Sequence, residues 1–302
     1  MTDFRAAQDR VFEEAGIEAE SRYVDLDRPG VRTHVLESGR EESDDVPVFC
    51  VHGTGAFGAL FSPLIANLDG AWTIAIDRPG YGLSGDFTYA PRTTRETAVT
   101  VLEEILDELE IERVNLVGSS AGGYWSLVFA LARPERVRHL TLLGSAPTLP
   151  GTRPPLPLRL FSMPLLNRVV AGLGDASEAD VVENLETFGE GGTIRNYPSL
   201  VQLFVAQARN PRSDHVEISE LRSVVRLRGW RPSTRLREDE LADVRSPTLA
   251  IWGENDLLGG PDAVRSVVGR IPNSRLETLD AGHLPWLGHP GRCAELVLAP
   301  RR

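Results

Sequence analysis

Cysteine is scarce in this chain, which holds only Cys50 and Cys293 among its 302 residues. Two cysteines cannot form the several disulfide bridges on which small secreted domains depend. Cys50 also lies inside an apolar run, where a free thiol packs as a small hydrophobic side chain. We therefore expect two buried thiols and a fold stabilised by its hydrophobic core, because 302 residues with 41% hydrophobic content suffice to bury one.

Lysine is absent: all 32 basic residues are arginines, set against 43 acidic residues and a net charge of −11. Binding to the phosphate backbone of nucleic acid needs a basic face, so we expect no nucleic acid partner. No apolar run approaches the ~20 residues that span a bilayer, and residues 1–16 are charged where a signal peptide would be apolar. We therefore expect no membrane partner and a cytoplasmic protein, either a monomer or a homodimer.

Short apolar runs and helix-like stretches alternate along most of the chain. A continuous apolar run such as Val48–Val51 is typical of a strand buried on both faces of a parallel sheet, and its alternation with helices indicates an α/β fold. Two runs around Asp27–Gly30, where Pro and Gly suit a tight turn, predict an antiparallel pair at one edge. Thr93 and Glu96 have the spacing of a capping box at a helix start. The eight predicted strands cover residues 21–26, 31–37, 48–51, 72–76, 114–119, 138–143, 248–252 and 274–279.

One region interrupts this alternation. Five prolines fall between Pro147 and Pro157, and the following residues are helix-like, with no clear buried strand. We predict a helical cap over residues 146–246, inserted into a core formed by residues 1–145 and 247–302. The cap carries 13 Arg and 13 Asp or Glu, so the whole net charge lies on the core.

Ser120 stands between a predicted strand and a predicted helix, flanked by Gly118 and Gly122. A serine at such a sharp turn needs small residues two positions away on each side, so that strand and helix can pass closely. The pattern makes Ser120 a candidate nucleophile. An ordinary strand-to-helix turn would also explain the glycines, and Ser119 is a weaker alternative because the residues two positions from it are larger than glycine.

A serine nucleophile needs a histidine as base and an acid that orients the histidine. Of the six histidines, His283 alone lies in a loop that follows a late core strand, and Asp256 follows the first strand after the insertion. Ligands of open α/β sheets bind at the carboxyl ends of the strands, where both residues are expected. Glu254 and Asp262 are alternative acids, in which case Asp256 would only cap a helix. A structural role is the alternative for His283.

These motifs together resemble the α/β-hydrolase superfamily, particularly its lidded carboxylesterases and C–C hydrolases, over nearly the whole chain. The resemblance implies a mostly parallel eight-stranded sheet with helices on both faces and an inserted helical cap. It also implies that Ser120 attacks a carbonyl, that His283 transfers the proton and that Asp256 orients His283. The motifs are His52-Gly53, Asp77-x-x-Gly80-x-Gly82-x-Ser84, Gly118-x-Ser120-x-Gly122, Gly253-x-x-Asp256, and Gly282-His283 with Pro285.

The resemblance further implies an oxyanion hole, in which two backbone N–H groups stabilise the developing negative charge. Ala121, directly after the nucleophile, would supply one N–H, and Thr54 in the glycine-rich loop would supply the other. The glycine spacing fits Gly53 and Gly55 as well.

A serine at the turn argues against haloalkane dehalogenases and epoxide hydrolases, relatives that carry a carboxylate there. The meta-cleavage C–C hydrolases usually have Asn before the nucleophile and Trp after the histidine, where this chain has Ser119 and Leu284. The resemblance therefore favours a carboxylesterase that cleaves a small to medium apolar ester through an acyl-enzyme, without cofactor or metal. The alternatives are a C–C hydrolase, a lactonase and a ligand-binding sensor that keeps the fold.

Three further features have two interpretations each. The loop that begins at Asp77 is interpreted as a rigid turn rather than a catalytic element. The six arginines between Arg222 and Arg237 face either a substrate carboxylate or, as we favour, solvent. Apolar side chains of the cap either line an acyl pocket or pack within the cap: Leu158, Leu160, Phe161, Met163, Leu165, Leu166, Phe188, Tyr197, Phe204 and Trp230.

Overall fold

The computed structural model describes residues 2–40, 46–144, 147–163 and 176–299. The strands of these residues are β1 (Glu20–Leu26), β2 (Val31–Ser38), β3 (Val48–Val51), β4 (Thr73–Asp77), β5 (Val114–Ser119), β6 (Val137–Leu143), β7 (Val225–Arg226), β8 (Gly229–Trp230), β9 (Thr248–Gly253) and β10 (Ser274–Leu279). Eight of them form one sheet in the order β1-β2-β4-β3-β5-β6-β9-β10. β2 pairs antiparallel with β1 and β4, and the other neighbours are parallel.

Helices cover both faces of this sheet. They are α1 (Thr2–Ala15), α2 (Ser62–Ile65), α3 (Thr94–Glu108), α4 (Ala121–Ala132), α5 (Leu156–Phe161), α6 (Glu178–Thr187), α7 (Gly191–Ile194), α8 (Pro198–Ala208), α9 (Ser213–Val224), α10 (Glu238–Ala242), α11 (Pro261–Val268), α12 (Pro285–Gly288) and α13 (Pro290–Leu298). Along β3, Phe49 and Val51 join a hydrophobic cluster with α3 and α4, whereas Val48 and Cys50 join a second one with α1, α2 and α13. The predicted eight-stranded, mostly parallel α/β fold is therefore confirmed, and both cysteines are buried free thiols.

Two local expectations differ from the structure. Thr93 does precede α3, but its hydroxyl donates to the carbonyl of Ala90 and makes no capping bond to the helix, so the capping box is wrong. The segment between β6 and β9 contains a two-stranded ribbon, β7 and β8, besides its helices. Each strand of this ribbon has two residues, too few to give a buried apolar run in the sequence.

The residues between β6 and β9, called the insertion below, add no strand to the large sheet in their described part. α8 of the insertion packs against α1, and α9 lies over the loops that follow β3 and β4. The insertion therefore stands at the edge where the parallel strands end. Within the described residues, the helices are all too short or too polar to cross a lipid bilayer.

Candidate active site

Ser120 lies at the apex of the turn between β5 and α4, with φ of 52° and ψ of −121°. A non-glycine residue with positive φ is strained and persists only where its surroundings fix it. A Cβ on Gly118 would collide with the hydroxyl of Ser126, and one on Gly122 would collide with the carbonyl of Val51. The two glycines therefore allow the close approach of strand and helix, and Ser120 remains partly exposed.

The glycine-rich loop after β3 lies directly against Ser120. A Cβ on Gly53 would lie 2.8 Å from the Cβ of Ser120 and 3.4 Å from its Oγ. Thr54 is exposed, and among the described residues no acceptor bonds to its backbone N–H or to that of Ala121, the first residue of α4. Two donors thus flank the serine. Within the same residues the N–H of Gly55 also lacks an acceptor, so hydrogen bonding does not separate it from Thr54.

His52 holds this loop in place. Its Nε2 accepts a hydrogen bond from the backbone N–H of Arg78 at 2.9 Å, so the ring proton is on Nδ1, which donates to the carbonyl of Gly53 at 2.7 Å. Burial, together with the charge of Arg78, lowers the pKa of His52 to about 3. The neutral imidazole therefore fixes the orientation of Gly53 and joins the loops after β3 and β4.

His283 and Asp256 lie on the loops after β10 and β9, which are neighbouring strands. The Nδ1 of His283 is 3.0 Å from Oδ2 of Asp256, and the N–H of Leu258 donates to Oδ1 at 2.9 Å. Both side chains are buried. The structure thus brings the two predicted residues together at the edge where β5 ends, and the alternative acids Glu254 and Asp262 are exposed.

The insertion contacts the loop of His283 through hydrogen bonds and a ring contact. The carbonyl of Phe188 accepts a hydrogen bond from the backbone N–H of His283 at 2.9 Å, and the two rings lie 5.7 Å apart. Oε1 of Glu190 accepts from the N–H of Leu284 at 2.7 Å. Glu190 is 1% exposed, and burial raises its pKa to about 7 even though His283 acts to lower it. Besides Asp256, a second buried acid therefore lies beside His283.

A buried ion pair joins the insertion to the loop after β4. Both terminal nitrogens of Arg78 donate to the carboxylate of Glu220 on α9, one of them at 3.2 Å, and the hydroxyl of Tyr81 donates to the same carboxylate. The guanidinium also lies over the rings of Tyr81 and Trp125. Burial opposes ionisation of Glu220, but Arg78, with Tyr81 and the Thr54 side chain, holds its pKa below the usual value. Glu220 is therefore an ionised, fully paired carboxylate.

Asp77, at the end of β4, accepts hydrogen bonds that fix the loop after this strand. Its Oδ1 accepts from the N–H of Gly58 at 2.7 Å, and its Oδ2 accepts from the N–H of Leu83 at 2.9 Å and from Nδ1 of His34 at 2.7 Å. The other ring nitrogen of His34 lies 2.5 Å from the hydroxyl of Ser21. Asp77 is fully buried and holds two loops together, as the rigid-turn interpretation requires.

Other candidates from the sequence lie outside this cluster or take structural places. Ser119 is 1% exposed. Most arginines of the segment from Arg222 to Arg237 are exposed, and the two half-buried ones donate to backbone carbonyls, which favours the solvent-facing interpretation. Phe204 packs against Phe57 of the glycine-rich loop, with ring centroids 4.8 Å apart. Leu165, Leu166 and the side chain of Phe161 lie outside the described residues.

Sequence reasoning missed the residues that support the site. His52 carried a signal, because a His-Gly pair directly follows a buried strand, but its hydrogen bonds could not be read from the pattern. Glu190 and Glu220 lie in helix-like sequence that gives no direction for their side chains. In the described part of the chain, no cluster of three or more His, Cys, Asp or Glu could hold a metal. The arrangement offers a strained serine, an imidazole–carboxylate pair and backbone donors.

Known proteins share the fold of this chain. A family model described as the alpha/beta hydrolase fold matches residues 46–290. The chain is 28% identical over 290 residues, 93% of this chain and 95% of the relative, to an Escherichia coli 2-hydroxy-6-oxononadienedioate/2-hydroxy-6-oxononatrienedioate hydrolase. It resembles a naproxen esterase from Bacillus subtilis, with a TM-score of 0.73, 20% identity and coverage of 100% and 98%. It also resembles an enol-lactonase from Burkholderia xenovorans, with a TM-score of 0.71, 19% identity and coverage of 92% and 98%.

Proposed function

Because this chain belongs to the alpha/beta hydrolase family, we propose that it is a serine hydrolase that cleaves a carboxylic ester of a small to medium apolar substrate. The observation that carries the proposal is the backbone of Ser120, held at φ of 52° at the start of α4 and against Gly53. Such strain costs about 1–3 kcal/mol and is typical of reactive positions. A serine that only ended a strand would not need it.

In the first half of the reaction, the Oγ of Ser120 attacks the ester carbonyl carbon while Nε2 of His283 accepts the hydroxyl proton. Asp256 accepts the hydrogen bond from Nδ1 of His283, which fixes the tautomer with an unprotonated Nε2 and stabilises the imidazolium. The tetrahedral intermediate then collapses. The bond to the alcohol oxygen breaks, and the alcohol leaves with the proton from His283.

In the second half, His283 removes a proton from water, and the hydroxide attacks the acyl-enzyme carbonyl. The bond to Ser120 breaks, the serine regains its proton, and the carboxylic acid is released. The N–H groups of Ala121 and Thr54 are the proposed donors to the oxyanion in both halves. Losing one such donor typically costs about 3 to 4 kcal/mol of transition-state stabilisation.

We propose that the insertion forms a cap over this site. Its support is the contact of α9 with the loops after β3 and β4 and the two hydrogen bonds that Phe188 and Glu190 make to the loop of His283. Phe188 and Phe204 contribute apolar surface beside His283 and the glycine-rich loop. An apolar part of the substrate would be held there.

The second candidate is hydrolysis of a C–C bond. The match to the Escherichia coli hydrolase over 93% of this chain supports it. Ser119 and Leu284 oppose it, because the C–C hydrolases that this sequence resembles usually have Asn and Trp at these positions.

The test combines a fluorophosphonate probe, a series of esters with increasing acyl length and a meta-cleavage ring-fission product. We expect the probe to label Ser120 and the esters to be hydrolysed faster than the ring-fission product. Faster cleavage of the ring-fission product would establish the second candidate. A wild-type protein that is neither labelled nor active on any substrate would be a sensor rather than an enzyme.

A further inference from the structure

Glu217 of α9 reaches the glycine-rich loop of the candidate active site. Its carboxylate carbon and one oxygen lie 3.5 Å from the place that a Cβ on Gly55 would occupy. Gly55 has φ of 73°, a conformation that favours glycine, and it follows Thr54, the proposed oxyanion donor. The carboxylate therefore stands at the wall of the site, two residues along the loop from the glycine that touches Ser120.

Neighbouring contacts fix this position of Glu217 on the helix. One residue earlier, Val216 is packed so tightly on Gly80 that a Cβ there would collide with it. One turn later, Glu220 forms the buried ion pair with Arg78. Because residues at i and i+3 share a helix face, these contacts aim Glu217 at the loops after β3 and β4 rather than at bulk solvent.

The carboxylate of Glu217 lacks a partner within the residues that the structure describes. Neither a hydrogen bond nor a salt bridge joins it to another described group. Glu220, by contrast, accepts hydrogen bonds from both terminal nitrogens of Arg78 and from the hydroxyl of Tyr81. The side chain is partly exposed, so a ligand can reach it. Burial, with added repulsion from Asp214 and Glu220, raises the pKa of Glu217 to about 7. A half-buried acid without a counter-charge is unfavourable unless a ligand supplies the missing donor.

We propose that Glu217 is a specificity-determining residue that binds a hydrogen-bond-donating group of the substrate, an ammonium group above all. This inference rests on the proposed ester hydrolysis and names the substrate class for it: an apolar ester that carries a cationic donor. A substrate carboxylate at this position would be repelled by the carboxylates of Glu217 and Glu220. Arg78 would not offset this repulsion, because both of its terminal nitrogens already donate to Glu220. The site therefore disfavours dicarboxylates such as the dienedioate named for the Escherichia coli relative.

The experiment compares matched para-nitrophenyl esters of an ω-aminoalkanoate, an alkanoate and a dicarboxylate of equal chain length. A second series places the ammonium, neutral or carboxylate group on the alcohol, since either half of the substrate can lie at Glu217. In at least one series, the wild type should prefer the ammonium ester to the neutral ester by about tenfold or more in kcat/KM, as expected for a charge-assisted hydrogen bond.

The variant Glu217→Gln keeps the shape and removes the charge, so the preference ratio should fall to within about twofold of unity. The control Glu186→Gln removes an exposed charge from α6, another helix of the insertion, and should leave the ratio within about twofold of wild type. Inhibition of the wild type adds a measurement that needs no variant: an alkylammonium ion should inhibit more strongly than the alkanoate of equal length.

The two proposals fail in different ways. A wild type that reacts with the fluorophosphonate and hydrolyses neutral esters, but shows equal ratios in wild type and Glu217→Gln, would overturn the role of Glu217 and leave the esterase standing. Stronger inhibition by the alkanoate would also overturn it. Absence of labelling and of all hydrolysis would instead overturn the proposed function.

Discussion

Two regions of this molecule each hold a serine, a histidine and an aspartate. The sets are Ser120, His283 and Asp256 at the ends of the parallel strands, and Ser21, His34 and Asp77 at the antiparallel edge. The imidazole Nδ1 lies 3.0 Å from the carboxylate oxygen in the first set and 2.7 Å in the second. If this distance decided reactivity, the second set would be the better catalytic group.

The backbone around each serine separates the two sets. Ser21 lies inside β1, where it pairs with Leu36 in a regular antiparallel ladder. Ser120 has a positive φ and begins a helix, with backbone N–H donors beside its side chain. Asp77 also accepts two backbone hydrogen bonds that tie loops together. Proximity of the three side chains is therefore a weak sign of catalysis, and the exposure and strain of the serine are a stronger one.

The largest expected effect comes from Ser120→Ala, which removes the proposed nucleophile. We expect kcat for ester hydrolysis to fall by about 10⁴-fold or more, with complete loss of fluorophosphonate labelling. Ser119→Ala is the matched control, because it removes a buried hydroxyl from the adjacent residue, and it should keep the rate within about threefold of wild type. Equal losses in both variants would show that the turn, rather than the Ser120 hydroxyl, was damaged.

The next comparison is between the two aspartates. Asp256→Asn should lower kcat by about 10⁴-fold through the wrong histidine tautomer, with little change in the free energy of unfolding. Asp77→Asn should instead lower the free energy of unfolding by about 2 to 3 kcal/mol, because one amide nitrogen would face a backbone N–H. Urea denaturation and ester kinetics of both variants check this. A rate loss in Asp77→Asn without lost stability would contradict the division of roles.

The sequence predicted the features that depend on neighbouring residues or on the direction of the strands. The alternating runs predicted all eight strands of the large sheet, and the glycines around Ser120 predicted its sharp turn. Asp256 and His283 could be placed near each other because each follows a parallel strand, and such strands end at one edge. The Thr93 capping box failed because the hydroxyl found a carbonyl in the preceding turn instead.

The contacts of the insertion could not be predicted in the same way. Arg78 and Glu220 lie 142 positions apart in the sequence. A helical pattern predicts which face of a helix is buried, but it does not predict which part of the chain packs against that face. Glu190 and Glu217 are ordinary acids in the sequence. Their raised pKa values arise first from burial, which depends on how the insertion packs on the core.

A smaller effect is expected for Glu190, the buried acid beside His283. Its pKa of about 7 lies above the ordinary 4.5. Between these two pH values, the folded protein therefore holds a proton on Glu190 that the unfolded chain releases. Stability should therefore fall as the pH rises from about 4.5 to about 7. Glu190→Gln keeps an acceptor for the N–H of Leu284 without the charge. It should match wild type near pH 4 and exceed it by on the order of 2 kcal/mol near pH 8.

Urea denaturation across this pH range measures the effect of Glu190→Gln. Glu186→Gln on α6 is the control, because it removes an exposed acid from the same part of the insertion and should change stability by less than about 0.5 kcal/mol. A wild type and a Glu190→Gln variant with parallel pH profiles would mean that Glu190 stays ionised in the folded protein.

The smallest effect is expected for Ser21→Ala, and it tests the comparison most directly. The hydroxyl of Ser21 bonds to the ring of His34, which in turn bonds to Asp77, so its loss should cost about 1 kcal/mol of unfolding free energy. Ester kcat/KM should stay within about twofold of wild type, because a regular strand gives Ser21 neither strain nor an oxyanion hole. Urea denaturation and ester kinetics measure the two quantities. A tenfold loss of activity at unchanged stability would place the second set in the reaction and refute the distinction drawn from the backbone.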